Sequence, residues 1–352
     1  MRLFMPMVFV VAAGTLATAV ATIWLGYVFH QFEEFPAEGD LTCTPVVGIT
    51  GASDIAPIPN RNVAFLSVHD QRGKAERGGI VRFDLDDPLD DSSWRDRTGG
   101  RPRAFVPGGI DLWEERLPSG QLRHRLFVVN HEGPEVLIFD VDAQGDLTLA
   151  ERFSDPRLTS PNDVVATGPQ SFYVTNDTSA GRDTWRGRAD FLAGLPTGQI
   201  FHYDGNSWAV MADGLQWPNG LALSRDGDRL YVAEMRAESV RSFDRDPATD
   251  RLEQSGRIAL GSFPNNLSVD EQDRLLIGSV PQPFAFKAFT ESLRDNAPSQ
   301  VLRVEGGETE VLFQDTGREI SAATAASIVG NRTVIGSAAD EKFLMCRAPA
   351  AG

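Results

Sequence analysis

Short hydrophobic runs separated by polar turns make up the chain from residue 43 onward, and almost none has the period of a long amphipathic helix. Three of these runs open with nearly the same letters: "SPNDVV" at Ser160, "WPNGLA" at Trp217 and "FPNNLS" at Phe263. Each continues as an aliphatic strand, a short turn such as "SRDGDR", and a second strand rich in Val, Leu, Ile and Tyr. This pattern predicts a repeated β-hairpin.

Weaker copies of the hairpin begin at Ala52, Pro107 and Ala323, and further strand pairs lie between the copies. Two strand pairs in each unit of roughly 50 residues are typical of a propeller blade. We therefore predict an all-β, six-bladed β-propeller over residues 43–352, with short helical or loop insertions at Asp183–Leu195 and Pro283–Asn296. The first strand of a blade lines the central channel, so six residues at the position of the repeated Asn face one axis. They are Ser53, Gly108, Asn162, Asn219, Asn265 and Thr324, at spacings of 55, 54, 57, 46 and 59.

The N-terminal segment has a different pattern, because Leu3–Phe29 contains no charged residue. A helix of this length is long enough to span a hydrocarbon core of about 30 Å. Arg2 precedes it and Glu33 follows it, which places the remainder of the chain on the exported side of a membrane. We predict a membrane anchor at residues 1–30 and a linker at residues 31–42. The alternative is a signal peptide cleaved after "AVA" at Ala19–Ala21, which would make the protein secreted.

The two cysteines, Cys43 and Cys346, lie at opposite ends of the predicted propeller. In an exported chain this arrangement predicts a disulfide that joins the ends of a closed ring. The net charge of −16 repels phosphate backbones, so nucleic acid is excluded as a partner. The sequence leaves the oligomeric state open.

The six positions that face the axis, which we call the ring, predict two sites for a hard cation. Amide oxygens of Asn162, Asn219, Asn265 and Asn266 meet at the channel mouth, and Ca²⁺ is coordinated by six to eight such oxygens. Asp54 and Asp163 each follow a ring position. With the backbone carbonyl of Ile110, they are predicted to hold a second Ca²⁺ deeper in the channel.

The stretches "LFVVNH", "PNDVVATGPQSFYVTND", "NGLALSRDGDRLYVAE" and "NNLSVD" resemble the paraoxonase and arylesterase family. The similarity covers nearly everything from Cys43 to Cys346; the two cysteines match the family's disulfide, and the hydrophobic N-terminus before them matches its retained leader. It implies a calcium-dependent six-bladed propeller that hydrolyses lactones and aryl esters. Gluconolactonase-like propellers are more distant relatives.

The resemblance implies a structural calcium at Asp54, Asp163 and Ile110, where the residue types match the family. The positions of the catalytic calcium are matched by Asn162, Asn219 and Asn266. Ser53 stands where the family has a Glu, and Asn265 stands where it has an Asp. Of two family histidines, one is matched by His131 and the other is replaced by Gly108. His69 is a candidate substitute for the missing histidine, and Asp111 or Asp177 for the missing carboxylates.

Three functions remain open from the sequence. The first is a hydrolase that acts on a small ester or lactone, with a calcium ion at the channel mouth that polarises the carbonyl and with His131 assisting the attack of water. The second is a non-catalytic, calcium-stabilised propeller that acts as a binding or scaffold module. The third is a metal-independent propeller similar to strictosidine synthase.

Overall fold

A computed structural model describes residues 4–88 and 96–348, with the side chains of the first helix described from residue 14 onward. Within these residues six sheets form a six-bladed propeller, as the repeat predicts. Each sheet is a mostly antiparallel blade, and the strand that carries the repeated position forms the edge nearest the axis.

The strands are given in chain order, one blade at a time. Blade one contains β2 (Ala52–Pro57), β3 (Val63–Val68) and β4 (Gly79–Asp84); blade two contains β5 (Thr98–Gly99), β6 (Pro107–Arg116), β7 (Leu122–Asn130), β8 (Glu135–Val141) and β9 (Leu147–Phe153). Blade three contains β10 (Pro161–Ala166), β11 (Phe172–Asn176), β12 (Gly198–Tyr203) and β13 (Trp208–Leu215); blade four contains β14 (Pro218–Leu223), β15 (Arg229–Glu234), β16 (Ser239–Asp246) and β17 (Arg251–Ala259). Blade five contains β18 (Phe263–Val269), β19 (Leu275–Val280), β20 (Ser299–Glu305) and β21 (Glu308–Asp315); blade six contains β22 (Ala323–Val329), β23 (Arg332–Ser337), β24 (Lys342–Arg347) and β1 (Thr42–Val47).

Blade six closes the propeller, because its outermost strand comes from the start of the propeller sequence. Strand β1 pairs antiparallel with β24, and Cys43 stands opposite Cys346 in that register. The two cysteines form the predicted disulfide. Both ends of the propeller are therefore held in one sheet by backbone hydrogen bonds and a covalent bond.

Replacing both cysteines by serine is expected to lower the free energy of unfolding by about 5 kcal/mol, the chain-entropy estimate for so long a loop. The bridge closes a sequence separation of 303 residues, so its removal frees the ends in the unfolded chain. Thermal midpoints of the oxidised protein, the dithiothreitol-reduced protein and the double variant measure the effect. Equal midpoints for all three would contradict the prediction.

Eight hydrophobic clusters form the core of the described residues, and six of them lie between two neighbouring blades. Alternate residues of a strand face opposite neighbours: Phe65 packs toward blade two, whereas Leu66 packs toward blade six. Phe127 packs against Phe172 of blade three in the same way. Because blade strands are buried on both faces, they appear in the sequence as continuous hydrophobic runs.

Each innermost strand has a register shift at the ring position, where it pairs with the second strand of its blade. The shifts lie between Ala52 and Asp54, Pro107 and Ile110, Pro161 and Val164, Pro218 and Leu221, Pro264 and Leu267, and Ala323 and Ala325. A bulge takes one or two residues out of the ladder and re-aims their side chains. Six bulges at one level therefore build the ring.

In the described residues three α-helices and one short 3-10 helix (Met235–Ala237) lie outside the strands. The α-helices are α1 (Phe4–Val28), α2 (Trp185–Ala193) and α3 (Pro283–Thr290), the last two within the predicted insertions. The chain just after α1 docks at the ring end of the propeller. There the Phe29 ring packs on Phe263 and on Phe191 of α2. The predicted membrane anchor at residues 1–30 is not supported, because none of the helices in the described residues has the length and apolar character needed to cross a bilayer; residues 1–3 of that segment lie outside the described residues.

Candidate functional site

The ring lies at one end of the channel, in the first residues of the six innermost strands. Asn219 is buried, and its Oδ1 atom has no hydrogen-bond partner among the described residues. A buried amide oxygen without a hydrogen-bond partner costs free energy unless a ligand donates to it or an ion binds it. Asn219 therefore marks the ring as a place that receives a donor group or a cation.

Other ring residues are already engaged within the protein. The Asn162 Nδ2 donates to Asp177 Oδ1 over 2.8 Å. The Ser53 hydroxyl lies 3.1 Å from the Ser67 hydroxyl, within its own blade. Asn266 Nδ2 and Thr324 Oγ1 each donate to the backbone oxygen of Ser53 over 2.9 Å.

These contacts test the predicted calcium at the channel mouth. The five predicted ligands carry no charge, and the Ser53 hydroxyl is directed at a neighbouring strand instead of the ring. Calcium affinity follows the charge and rigidity of the ligands. The ring therefore fits Ca²⁺ poorly, although Asn219 Oδ1 itself is a suitable donor.

His131 reaches the ring through the space that Gly108 leaves. It follows β7, and its backbone N–H donates to Val106 O over 2.9 Å. Its Nε2 lies only 2.3 Å from the point where a Cβ on Gly108 would stand, and Nε2 has no partner among the described residues. Burial lowers the pKa of His131 well below its usual value, and the charge of Arg182 lowers it further. The imidazole is thus neutral and has a free nitrogen at the ring.

His69 has one imidazole nitrogen engaged and one without a partner. Its Nε2 lies 3.0 Å from Ala75 O, and its backbone N–H donates to Gly51 O. The other imidazole nitrogen, Nδ1, is buried and has no hydrogen-bond partner among the described residues.

Arg182 and Asp177 form an ion pair beside the ring, with Arg182 Nη2 3.2 Å from Asp177 Oδ2. Asp177 is buried, and burial raises its pKa to about 6, while Arg182 and the Asn162 amide act in the opposite direction. Sequence reasoning named Asp177 as a residue able to reach the ring. It missed Arg182, whose only signal was its place in the loop between β11 and α2.

Three carboxylates line the channel below the ring, and each links its strand to the next blade. Asp54 Oδ2 accepts from Ile110 N over 2.8 Å, Asp111 Oδ2 from Ala166 N over 2.8 Å, and Asp163 Oδ2 from Leu221 N over 2.6 Å. Burial raises the pKa of Asp54 to about 7 and that of Asp163 well above its usual value. The charge of Asp111 raises the pKa of Asp54 further, and the charges of Asp54 and Asp111 raise that of Asp163.

These acids border a cavity of about 660 Å³ that follows the channel. No group of three or more His, Cys, Asp or Glu side chains in residues 4–88 and 96–348 is arranged as a metal site. The oxygen donors of Asp54 and Asp163 nevertheless suit a hard cation, and a cation would offset the repulsion between them. The lower pair therefore fits calcium better than the ring does.

Comparison with known proteins agrees with this architecture. A family model described as Arylesterase matches residues 43–347. The chain is 27% identical to serum paraoxonase/arylesterase 2 from Bos taurus over 313 residues, and 27% identical to serum paraoxonase/arylesterase 1 from Homo sapiens over 319 residues; each match covers 84% of this chain and 86% of the relative. A gluconolactonase from Xanthomonas campestris has the same fold, with a TM-score of 0.57, 18% identity, and coverage of 88% of this chain and 91% of that one.

Proposed function

Since the chain belongs to the arylesterase family, we propose that it hydrolyses lactones or aryl esters at the ring end of its channel. The observation that carries the proposal is the neutral His131 imidazole, whose Nε2 lies unpartnered at the ring beside Gly108. A neutral imidazole in this position accepts a proton from water as water attacks the ester carbonyl. Relatives named as esterases support the reaction class.

A calcium ion at the ring that polarises the carbonyl stays a prediction. The uncharged side chains of the ring support it poorly. We place the ion instead at the lower pair, Asp54 and Asp163, with the Ile110 carbonyl as a further ligand. There it would supply a positive charge that offsets the two buried carboxylates. In this role it holds strands of neighbouring blades together.

We also propose that the propeller acts on the exported side of a membrane or outside the cell. The disulfide between Cys43 and Cys346 supports this location, because such bonds persist in oxidising compartments.

A second candidate is a non-catalytic, calcium-stabilised propeller that binds a ligand without turning it over. It is favoured by one specific observation: Ser53, Asn265 and Gly108 stand where the resemblance implies a Glu, an Asp and a His. The two candidates differ in turnover and agree in calcium-dependent stability.

Asn219→Ala separates the two candidates. We expect the wild-type protein to hydrolyse members of a panel of aryl acetates and lactones. The variant loses a ring oxygen that can accept a hydrogen bond from the attacking water and orient it, so it should lose at least about tenfold in kcat/KM. The thermal midpoint should change little, because Asn219 Oδ1 has no partner to lose. Absence of turnover in the wild type, with calcium in excess and the fold intact, would favour the non-catalytic propeller.

A further inference from the structure

Arg182 is held across the start of β10, beside the ring. Its backbone N–H donates to Ser160 Oγ over 2.7 Å, and its Nη2 donates to Pro161 O over 2.5 Å. Pro161 immediately precedes the ring residue Asn162. The guanidinium is thus fixed by the same strand that supplies the ring.

Asp177 orients the guanidinium from the opposite side. Its Oδ2 lies 3.2 Å from Arg182 Nη2, while its Oδ1 accepts from the Asn162 amide. The buried carboxylate therefore couples Arg182 to a ring side chain. A group held this way loses little conformational freedom when it binds a ligand.

One edge of the guanidinium remains free. The contacts with Pro161 and Asp177 use Nη2, and Nε and Nη1 have no hydrogen-bond partner in the part of the chain that the structure describes. The side chain is 27% exposed, so the guanidinium is not sealed off from a ligand. Its charge also reaches His131, whose pKa it lowers. A permanent positive charge with free N–H groups therefore lies beside ring residue Asn162, within electrostatic reach of His131.

We propose that Arg182 is a catalytic residue whose free guanidinium N–H groups bind the carbonyl oxygen of the ester and stabilise the oxyanion. The inference rests on the proposed hydrolase function. It assigns to a side chain of this protein the positive charge that the neutral ring lacks. Arginine suits the role because it stays charged and presents several donors in a rigid fork.

The step balances without a further reactant. Water adds to the carbonyl carbon, its proton passes to His131 Nε2, and the carbonyl electron pair moves onto the oxygen held by Arg182. When the oxyanion collapses, the bond to the leaving oxygen breaks and His131 returns the proton to that oxygen. The products are one carboxylic acid and one alcohol, or one hydroxy acid from a lactone.

The test compares Arg182→Gln and Arg182→Lys with Arg186→Gln in the full chain. Arg186 is the matched control, since it lies four residues further on, is exposed and stacks near the Trp185 ring. Loss of an oxyanion donor typically lowers kcat by about 10²–10³. We expect Arg182→Gln to lose about 100-fold in kcat with KM nearly unchanged, Arg182→Lys to lose less, and Arg186→Gln to match the wild type.

Arg182→Gln leaves the buried Asp177 carboxylate without its cation. The double variant Asp177→Asn, Arg182→Gln controls for this effect. We expect the double variant to regain the thermal midpoint of the wild type and to stay as inactive as Arg182→Gln. Added guanidinium chloride at low, non-denaturing concentration should partly restore turnover in Arg182→Ala. An Arg182→Gln enzyme with wild-type kcat would overturn the assignment.

A binding measurement separates failure of this inference from failure of the proposed function. Phenylphosphonate, a tetrahedral anion, is titrated calorimetrically into each variant. We expect at least a tenfold weaker affinity in Arg182→Gln and no change in Arg186→Gln. If binding depends on Arg182 while no ester is turned over, the anion site stands and the hydrolase proposal fails. If esters are turned over and Arg182→Gln changes neither kcat nor the affinity for phenylphosphonate, the hydrolase proposal stands and the role proposed for Arg182 is wrong.

Discussion

Asp163→Ala is expected to destabilise the propeller by about 3 kcal/mol even without calcium. The carboxylate accepts from Leu221 N over 2.6 Å and from Val164 N over 2.8 Å, and it is almost fully buried. Its removal leaves two buried N–H groups unpaired, and each costs about 1–3 kcal/mol. It also removes the link between β10 and β14. Midpoints of urea unfolding in a chelator give the size of the loss.

Asp163→Asn then tests whether the lower pair holds calcium. The amide keeps the shape of the side chain but removes its charge, and with it the repulsion from Asp54. In chelator we expect a smaller loss than for Asp163→Ala. In millimolar calcium the wild type should gain stability, by the linkage between binding and folding, and Asp163→Asn should gain almost none. Equal calcium-dependent gains in both proteins would place the ion elsewhere.

The sequence predicts the fold well because the blades repeat. The pattern at Pro161, Pro218 and Pro264 starts three innermost strands, weaker copies start the other three, and the spacing between copies gives the number of blades. The cysteines near the two ends of the propeller independently predict that it closes on itself. The disulfide between Cys43 and Cys346 confirms this prediction. Both signals are local in sequence, so neither requires knowledge of side-chain geometry.

The direction of a ring side chain is harder to predict. Six positions lie at equivalent bulges, yet the Ser53 hydroxyl bonds Ser67 in its own blade, whereas Asn219 Oδ1 is left without a partner. A bulge changes which way a side chain points, and its local geometry depends on neighbours from other strands. Residue type at a repeat position therefore predicts a place in the fold but not a ligand.

Residues contributed by loops are harder still. Arg182 lies outside the repeat, and it meets the ring only because Asp177 and Pro161 hold it there. Asp111 was considered as a compensating carboxylate for the ring. It instead bonds Ala166 N and lines the cavity below the ring, a position that depends on the shift in β6.

His131→Gln is expected to lower kcat by about 10²–10⁴, the usual contribution of a positioned general base, with KM little affected. Glutamine is similar in size but cannot accept and return the proton that Nε2 carries. His124→Gln is the matched control, because His124 lies on β7, the strand that leads to His131, and pairs with Glu114. Gly108→Ala supplies a second variant with both nitrogens intact.

A Cβ at residue 108 would stand 2.3 Å from His131 Nε2 and 3.0 Å from the Asn162 carbonyl oxygen, so the imidazole must move away from the ring. We therefore expect Gly108→Ala to lose turnover nearly as strongly as His131→Gln, while phenylphosphonate still binds at Arg182. Combining both changes should cost little more than either alone, because each removes the same nitrogen from the same place. Additive losses would show that Gly108 and His131 act separately, and an active His131→Gln enzyme would remove His131 from the reaction.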